Sequence, residues 1–354
     1  MQIEENKPLA PLTTFGIGGP ARWYVNAASE AEILEAVAWG QRRSVPLSIL
    51  GGGSNLLVSD AGFPGLVLHA SLKGIQTADD GWARTYEVAA GEDWDQFVQR
   101  AVDDDCAGIE CLAGIPGTVG GTPVQNVGAY GQEVASTIKR VRAFDLQSHN
   151  FVEFSPEECG FSYRKSRFNA EDRGRYLVTR VDFALRPGGA PEVKYTELKW
   201  ALDAVTPTGV QPTLVATSAA VRRLRQNKGM LLVDSDPNCK SSGSFFKNPV
   251  VTAEQLDRIR QIAAQKPPQF PAEPGVGTIP LIKVPAAWLI EKAGFARGYR
   301  LGAAGISSRH TLALVNTGGA TAKEILALAA RITEGVETKF GIRLEREPVL
   351  LGFD

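Results

Sequence analysis

The sequence predicts an α+β fold, with helices and strands mixed and more than one domain. Three observations point there. The 354 residues exceed the roughly 100–200 of a usual domain. Strand-like runs over 140–146, 151–154 and 176–185 follow one another directly, which favours antiparallel or mixed pairing over regular βαβ alternation. Capped helical stripes stand near both ends of the chain.

In chain order, Ser29 and Glu32 form an S-x-x-E cap before the stripe Ile33, Leu34, Val37 and Ala38, predicting a helix over 29–43; Arg42 and Arg43 suit its C-terminal dipole. Apolar strands over 45–50, 56–58 and 65–70 make the opening 70 residues a small α/β lobe. A strand over 85–90 and the stripe Trp94, Phe97, Val98, Ala101 follow, then a glycine-dense stretch over 108–131 and the successive strands. A Pro-Gly-Gly-Ala-Pro loop at 187–191 precedes helices over 196–204 and 213–228. A boundary near 230–240 divides the chain into 1–235, with lobes of about 1–70 and 71–235, and a C-terminal α/β domain, 236–354. That domain holds a T-x-x-Q-capped helix over 252–265, a Pro-rich loop over 266–280, a helix over 286–293 and a strand over 311–316. A Thr321/Glu324-capped helix stopped by Gly341 and a returning strand over 342–352 complete it.

Composition narrows the function classes. Thirty-eight Lys and Arg against 39 Asp and Glu give a net charge of −1, which argues against electrostatic capture of nucleic acid or an acidic membrane surface. No apolar run approaches the roughly 20 residues of a membrane span, and the acidic and polar opening over 1–7 has no apolar h-region, so a cytoplasmic location is expected. Cys106, Cys111, Cys159 and Cys239 form no CxxC pair and are expected as free thiols; His69, His149 and His310 fall in no ligand spacing. No metal site is expected, and metal hydrolysis and Ser-His-Asp chemistry fit poorly.

The 37 glycines and 21 prolines are concentrated in a few clusters. Gly51, Gly52, Gly53, Ser54 and Asn55 lie between two apolar strands, where bare backbone could cradle a phosphate or simply turn a hairpin. Neither GxGxxG nor GxxxxGK[ST] is completed, so an ordinary Rossmann enzyme and a P-loop ATPase both lose ground. The segment 113–131 alternates small residues with Ile115, Val119, Val124 and Val127, and should be ordered and buried, with Thr118 and Asn126 as hydrogen-bonding groups. In 161–168, Arg164 or Arg167 could grip a carboxylate bidentately. In 242–249, Ser244, Lys247 and Asn248 are available; Ser244 works as a proton donor only where its surroundings favour the alkoxide. In 344–349, Glu345 and Glu347 point to one side of a strand.

Taken in order, these five segments resemble the UDP-N-acetylenolpyruvoylglucosamine reductase family, also called UDP-N-acetylmuramate dehydrogenase. The likeness covers nearly the whole chain. TTFGIGG at 13–19, LGGGSNLL at 50–57, GIPGTVGG at 114–121, QNVGAYG at 125–131, Tyr163-Arg164 and GSFFKNP at 243–249 carry it. It implies a vanillyl-alcohol-oxidase-type FAD-binding domain and a C-terminal substrate domain that closes over the flavin. The implied cofactor is FAD with NADPH as hydride donor, and the implied substrate is UDP-N-acetylglucosamine enolpyruvate, NADPH and this sugar nucleotide using one site in turn. A monomer without nucleic-acid or membrane partners is expected.

By that resemblance, Arg164 binds the substrate carboxylate and, with Glu347, stabilises an enol-type intermediate, while Ser244 delivers the proton. Glu347 is preferred to Glu345 because the second Glu of the family's L-E-x-E is the functional one; Pro348 follows it here where the family has Val. The flavin contacts fall on Leu50, Gly51, Gly52, Gly53, Ser54, Asn55 and Leu56, then on Ile115, Pro116, Gly117, Thr118, Val119 and Gly120, and on Asn126, Gly128, Ala129 and Tyr130. Tyr163, Tyr195, Lys228 and Asn248 fall to the substrate, Tyr195 and Lys228 to its diphosphate, as in the longer subclass marked by the 187–229 insertion. Two other readings use the same scaffold: a different FAD-dependent oxidoreductase reoxidised by O₂, and a nucleotide-sugar binding module without turnover. The second is disfavoured by the presence of Arg164, Ser244 and Glu347.

Overall fold

The computed structural model describes residues 1–271 and 281–353. The chain divides into two compact units. The first comprises Met1–Lys7, Ala21–Gly53 and Pro64–Asn227; the second comprises Pro8–Pro20, Ser54–Phe63 and Lys228–Asp354. The expected division was continuous, at 235/236. The observed one falls at 227/228 and gathers two early segments into the second unit.

In the first unit, a sheet in the order Glu4–Pro8, Pro20–Ala27, Phe63–Ala70, Leu47–Leu50 is covered by helix α1, Glu30–Arg42. The Ser29 hydroxyl accepts the Glu32 N–H at 3.2 Å, and Ile33, Ala36 and Val37 share a core with Leu66 and Leu68. A second sheet runs Asn150–Phe154, Ile138–Asp145, Tyr176–Pro187, Arg84–Ala89, Ile75–Asp79. All its ladders are antiparallel, as the uninterrupted strand runs predict, with Val141 opposite Val181 and Phe183 opposite Tyr86. Helix α2, Trp94–Asp103, sets Trp94 and Phe97 against Phe183. Helices α3, Thr196–Asp203, and α4, Leu214–Asn227, add Leu198, Leu202 and Val221 to the same core.

The second unit holds α5, Ala253–Ala263, α6, Ala286–Lys292, and α7, Ala322–Phe340, with one contiguous apolar core that includes Phe15 and Leu57 from the early segments. Reciprocal capping boxes open α5 at Thr252/Gln255 and α7 at Thr321/Glu324. The Asp60 carboxylate accepts the Ala322 and Lys323 N–H groups at 2.7 and 3.1 Å, a second cap on α7 from far along the sequence.

Two expectations are corrected. The returning strand over 342–352 is only Val349–Leu351, pairing in parallel with Leu56–Val58. Pro348 has no N–H to donate, so the ladder begins after it. The opening lobe also contains the strands Glu4–Pro8 and Pro20–Ala27, which its apolar pattern does not announce. Of the Pro-rich loop at 266–280, residues 272–280 lie outside the described residues.

Candidate active site

The first glycine loop is not a hairpin. The strand before it, Leu47–Leu50, pairs in parallel with Phe63–Ala70, and the strand after it, Leu56–Val58, pairs in parallel with Val349–Leu351. The loop thus passes between different sheets, with Leu50 and Gly53 buried and Leu56 half-buried. In the first unit it meets the second glycine cluster backbone to backbone. A Cβ on Gly52 would stand 2.5 Å from Gly117 Cα and 3.0 Å from Thr118 N, and one on Gly51 would stand 3.1 Å from Thr118 Oγ1. The bare backbone that a flat, anionic cofactor needs is therefore built from both clusters together, and these residues fit a flavin nucleotide. Gly52→Ala should cost about 1–3 kcal/mol, since the atoms it strikes are backbone. Chemical denaturation and a fluorescence titration with FAD should show both the loss of stability and the weakened cofactor binding.

Within the second cluster the groups divide. The Val119 and Gly120 N–H groups donate to Glu92 and Ala90, each at 2.9 Å, and the Gly117 carbonyl accepts the Trp94 N–H at 3.1 Å. Val119 is a core residue. Ile115, Pro116, Gly117 and Thr118 remain half-buried, so this stretch keeps part of its surface exposed.

Further along the cluster, Asn126 is fully enclosed. Its Nδ2 donates to Glu133 Oε2 at 2.8 Å and to the Ser162 carbonyl at 3.1 Å, and its Oδ1 accepts the Ala135 N–H. It ties the glycine cluster to a tight turn in which Ser162 and Lys165 exchange backbone bonds at 3.0 and 3.1 Å, with Tyr163 and Arg164 at the tip. Arg164 has φ +55°, a conformation that favours Gly or Asn. Such strain in an arginine is a common mark of a functional position. Its guanidinium donates to the Gly128 carbonyl at 2.9 Å and lies 5.3 Å from the Tyr163 ring. Tyr130, next to half-buried Ala129, meets Tyr195 edge to face at 5.6 Å, and burial pushes the Tyr130 hydroxyl up to about 12. The first unit thus brings together Gly128, Tyr130, Tyr163, Arg164 and Tyr195. Arg167 is engaged elsewhere, paired with Asp172 and set over Phe154.

In the second unit the Phe245 peptide is the organising element. Its N–H donates to the Leu312 carbonyl at 2.8 Å and its carbonyl accepts the Glu347 N–H at 2.9 Å. That fixes half-buried Ser244 and Glu347 to adjacent backbones. Asn55 brackets the glutamate. Its Nδ2 donates to the Glu347 carbonyl at 3.3 Å, and its own carbonyl accepts the Val349 N–H at 3.0 Å. The Ser54 carbonyl accepts the Thr14 hydroxyl. Glu345 is solvent-exposed and pairs with Lys247 at 3.4 Å. Asn248 Oδ1 accepts the Ala286 N–H at the start of α6, and Lys228 is half-buried just past the end of α4.

Sequence reasoning missed Asp95, Arg225 and Glu133, which bond to backbone or side chains of the second cluster, and Arg222, which bonds to Asp95. An acid in the first turn of α2 and the i, i+3 arginines of α4 were visible signals, but nothing local says where they reach. The four cysteines are free and buried, and burial pushes the Cys111 and Cys159 thiols up to about 12. Among the described residues no group of three or more His, Cys, Asp or Glu side chains is placed to hold a metal ion, and no helix is long and apolar enough to cross a membrane.

Two family models match. Residues 21–149 match an FAD binding domain, and residues 235–351 match the UDP-N-acetylenolpyruvoylglucosamine reductase C-terminal domain. Among curated relatives, the UDP-N-acetylenolpyruvoylglucosamine reductase of Streptomyces coelicolor is 47% identical over 99% of this chain and 91% of its own length. That of Thermobifida fusca is 43% identical over 98% of this chain and 97% of its own. The crystal structure of the reductase of the same name from Thermus caldophilus superposes with a TM-score of 0.66 at 29% identity, covering 99% of each chain. With glycine clusters that meet backbone to backbone, an arginine in left-handed conformation beside the second of them and a serine and a glutamate on adjacent backbones, these likenesses settle the question of kinship: the chain belongs to the UDP-N-acetylenolpyruvoylglucosamine reductase family.

Proposed function

We propose that the protein is an NADPH-dependent flavoenzyme that reduces the enolpyruvyl group of UDP-N-acetylglucosamine enolpyruvate to give UDP-N-acetylmuramate, a precursor of peptidoglycan, in the cytoplasm. FAD held on the two glycine clusters would supply the redox chemistry, transfer of one hydride from NADPH to the enolpyruvyl C3. As hydride arrives there, negative charge builds toward C2 and the carboxylate, so the site needs a fixed cation and a proton source. Arg164 supplies the cation and grips the carboxylate. Glu347 shares the enol-type intermediate with it. The Ser244 hydroxyl delivers a proton to C2, so that one hydride and one proton add across the double bond. Tyr195 and Lys228 hold the diphosphate, and Tyr163 and Asn248 complete the substrate contacts. We assign flavin binding to 50–56, 115–120, Asn126 and 128–130, with Asn126 and Asn55 acting chiefly by fixing their neighbours.

The observation that carries this reading is the Phe245 backbone, whose carbonyl accepts the Glu347 N–H and so holds that carboxylate's residue beside the chain that carries Ser244. The test is optical. The purified protein should show a flavin spectrum that NADPH bleaches without oxygen and that recovers on adding UDP-N-acetylglucosamine enolpyruvate. A colourless protein that takes up no FAD would end the proposal.

A further inference from the structure

Gly114 immediately precedes the stretch assigned to the flavin, and its backbone is gripped from both sides. The Asp95 carboxylate, in the first turn of α2, accepts the Gly114 N–H at 2.6 Å. The Arg225 Nε, on α4, donates to the Gly114 carbonyl at 3.0 Å. Gly114 has φ +73°, so the chain changes direction at the point where it is held. One turn before Arg225, Arg222 donates through Nη2 to the same Oδ1 of Asp95, at 2.7 Å.

That sharing is informative. An ion pair serving only to join α2 to α4 would gain most from a fork, with Nε and a terminal nitrogen each on its own carboxylate oxygen. Here the Arg222 Nε is buried with no hydrogen-bond acceptor among the described residues, while Oδ1 serves both the arginine and the glycine amide. The carboxylate is turned toward the loop, not toward the best ion pair. Arg222 pairs with Asp95, and burial pulls the Arg225 pKa down from its usual value, with Tyr130, Asp95 and Arg222 the titratable groups that bear on it.

The geometry points to Asp95, Arg222 and Arg225 as positioning residues that set the direction of the flavin loop at Gly114. This rests on the reading of 115–120 as flavin-binding. It gives α4, part of the 187–229 insertion, a second role beside carrying the chain to Lys228: the same helix fixes the cofactor loop.

Asp95→Asn tests it. The amide can still accept one bond but no longer forms an ion pair with Arg222, and loss of a charge-assisted bond should raise the FAD dissociation constant about ten-fold. The visible spectrum of the bound flavin should shift, and the NADPH half-reaction should slow, while KM for the enolpyruvyl substrate stays within about two-fold of wild type. Should Asp95→Asn fail to fold, Arg222→Met reads the same quantities, and Arg222→Lys, which keeps the charge, should restore most of the affinity lost by Arg222→Met. Unchanged FAD affinity and spectrum in a variant whose apoprotein melts at a lower temperature would reduce the cluster to an ordinary structural ion pair. Wild-type protein that binds no FAD would defeat the functional reading instead, and the two failures are told apart in the first titration.

Discussion

Ser244→Ala should leave the reduction of bound flavin by NADPH close to the wild-type rate and abolish recovery of the oxidised spectrum when the enolpyruvyl substrate is added. The first half-reaction moves a hydride and asks nothing of a proton donor to carbon. The second cannot finish without one, and a placed general acid contributes up to about 10⁴-fold. The scaffold should survive, because Phe245 is held through its N–H and carbonyl and not through the Ser244 side chain. Stopped-flow absorbance with each substrate separately gives the answer. Equal losses in both half-reactions would place Ser244 in flavin binding and overturn its role as donor.

Arg164→Lys is expected to lower kcat/KM for the enolpyruvyl substrate by about 10²–10³-fold, the cost typical of removing one donor from a developing anion. Charge is kept, but a lysine offers a single ammonium in place of a planar fork. The guanidinium bond to the Gly128 carbonyl also holds the arginine against the second glycine cluster, and a shorter, more mobile head group would lose that anchor. The left-handed backbone at 164 should be no better tolerated with lysine, so denaturation midpoints should hardly change. A variant with wild-type kcat/KM would remove Arg164 from the catalytic set.

Local signals carried far in reading this fold, and distant ones did not. Ser29, Thr252 and Thr321 announce their helices because a cap and the residue three places on are read from neighbouring positions, and each is seen capping its helix. The antiparallel sheet was legible as strand runs without intervening helices. The strand Glu4–Pro8 was not, because Glu-Glu-Asn-Lys-Pro has neither apolar alternation nor β-branched residues and is placed by its partner strand alone. The division into units was hidden for the same reason: nothing in the neighbourhood of Leu56 names Val349 as its partner. At the site, glycine clusters and the Tyr163-Arg164 pair stand out in one dimension. Asn55 shows only as part of a glycine motif, and its hold on Glu347 emerges only from the fold. Pro348, a departure from the family pattern, proves to set where the final ladder starts.

The second unit's patchwork of segments also sets an order of events during synthesis. Ser54–Phe63 leaves the ribosome early, yet Leu56–Val58 has no strand to pair with until Val349–Leu351 has been made, and Asp60 has no helix to cap until α7 exists. The intervening first-unit residues can begin to condense while this segment waits. Closing so long a loop places the step late and makes it slow. During that interval Leu57, destined for the centre of the second unit's core, is held in water, and a nascent chain stalled before residue 349 would be the form most dependent on a chaperone.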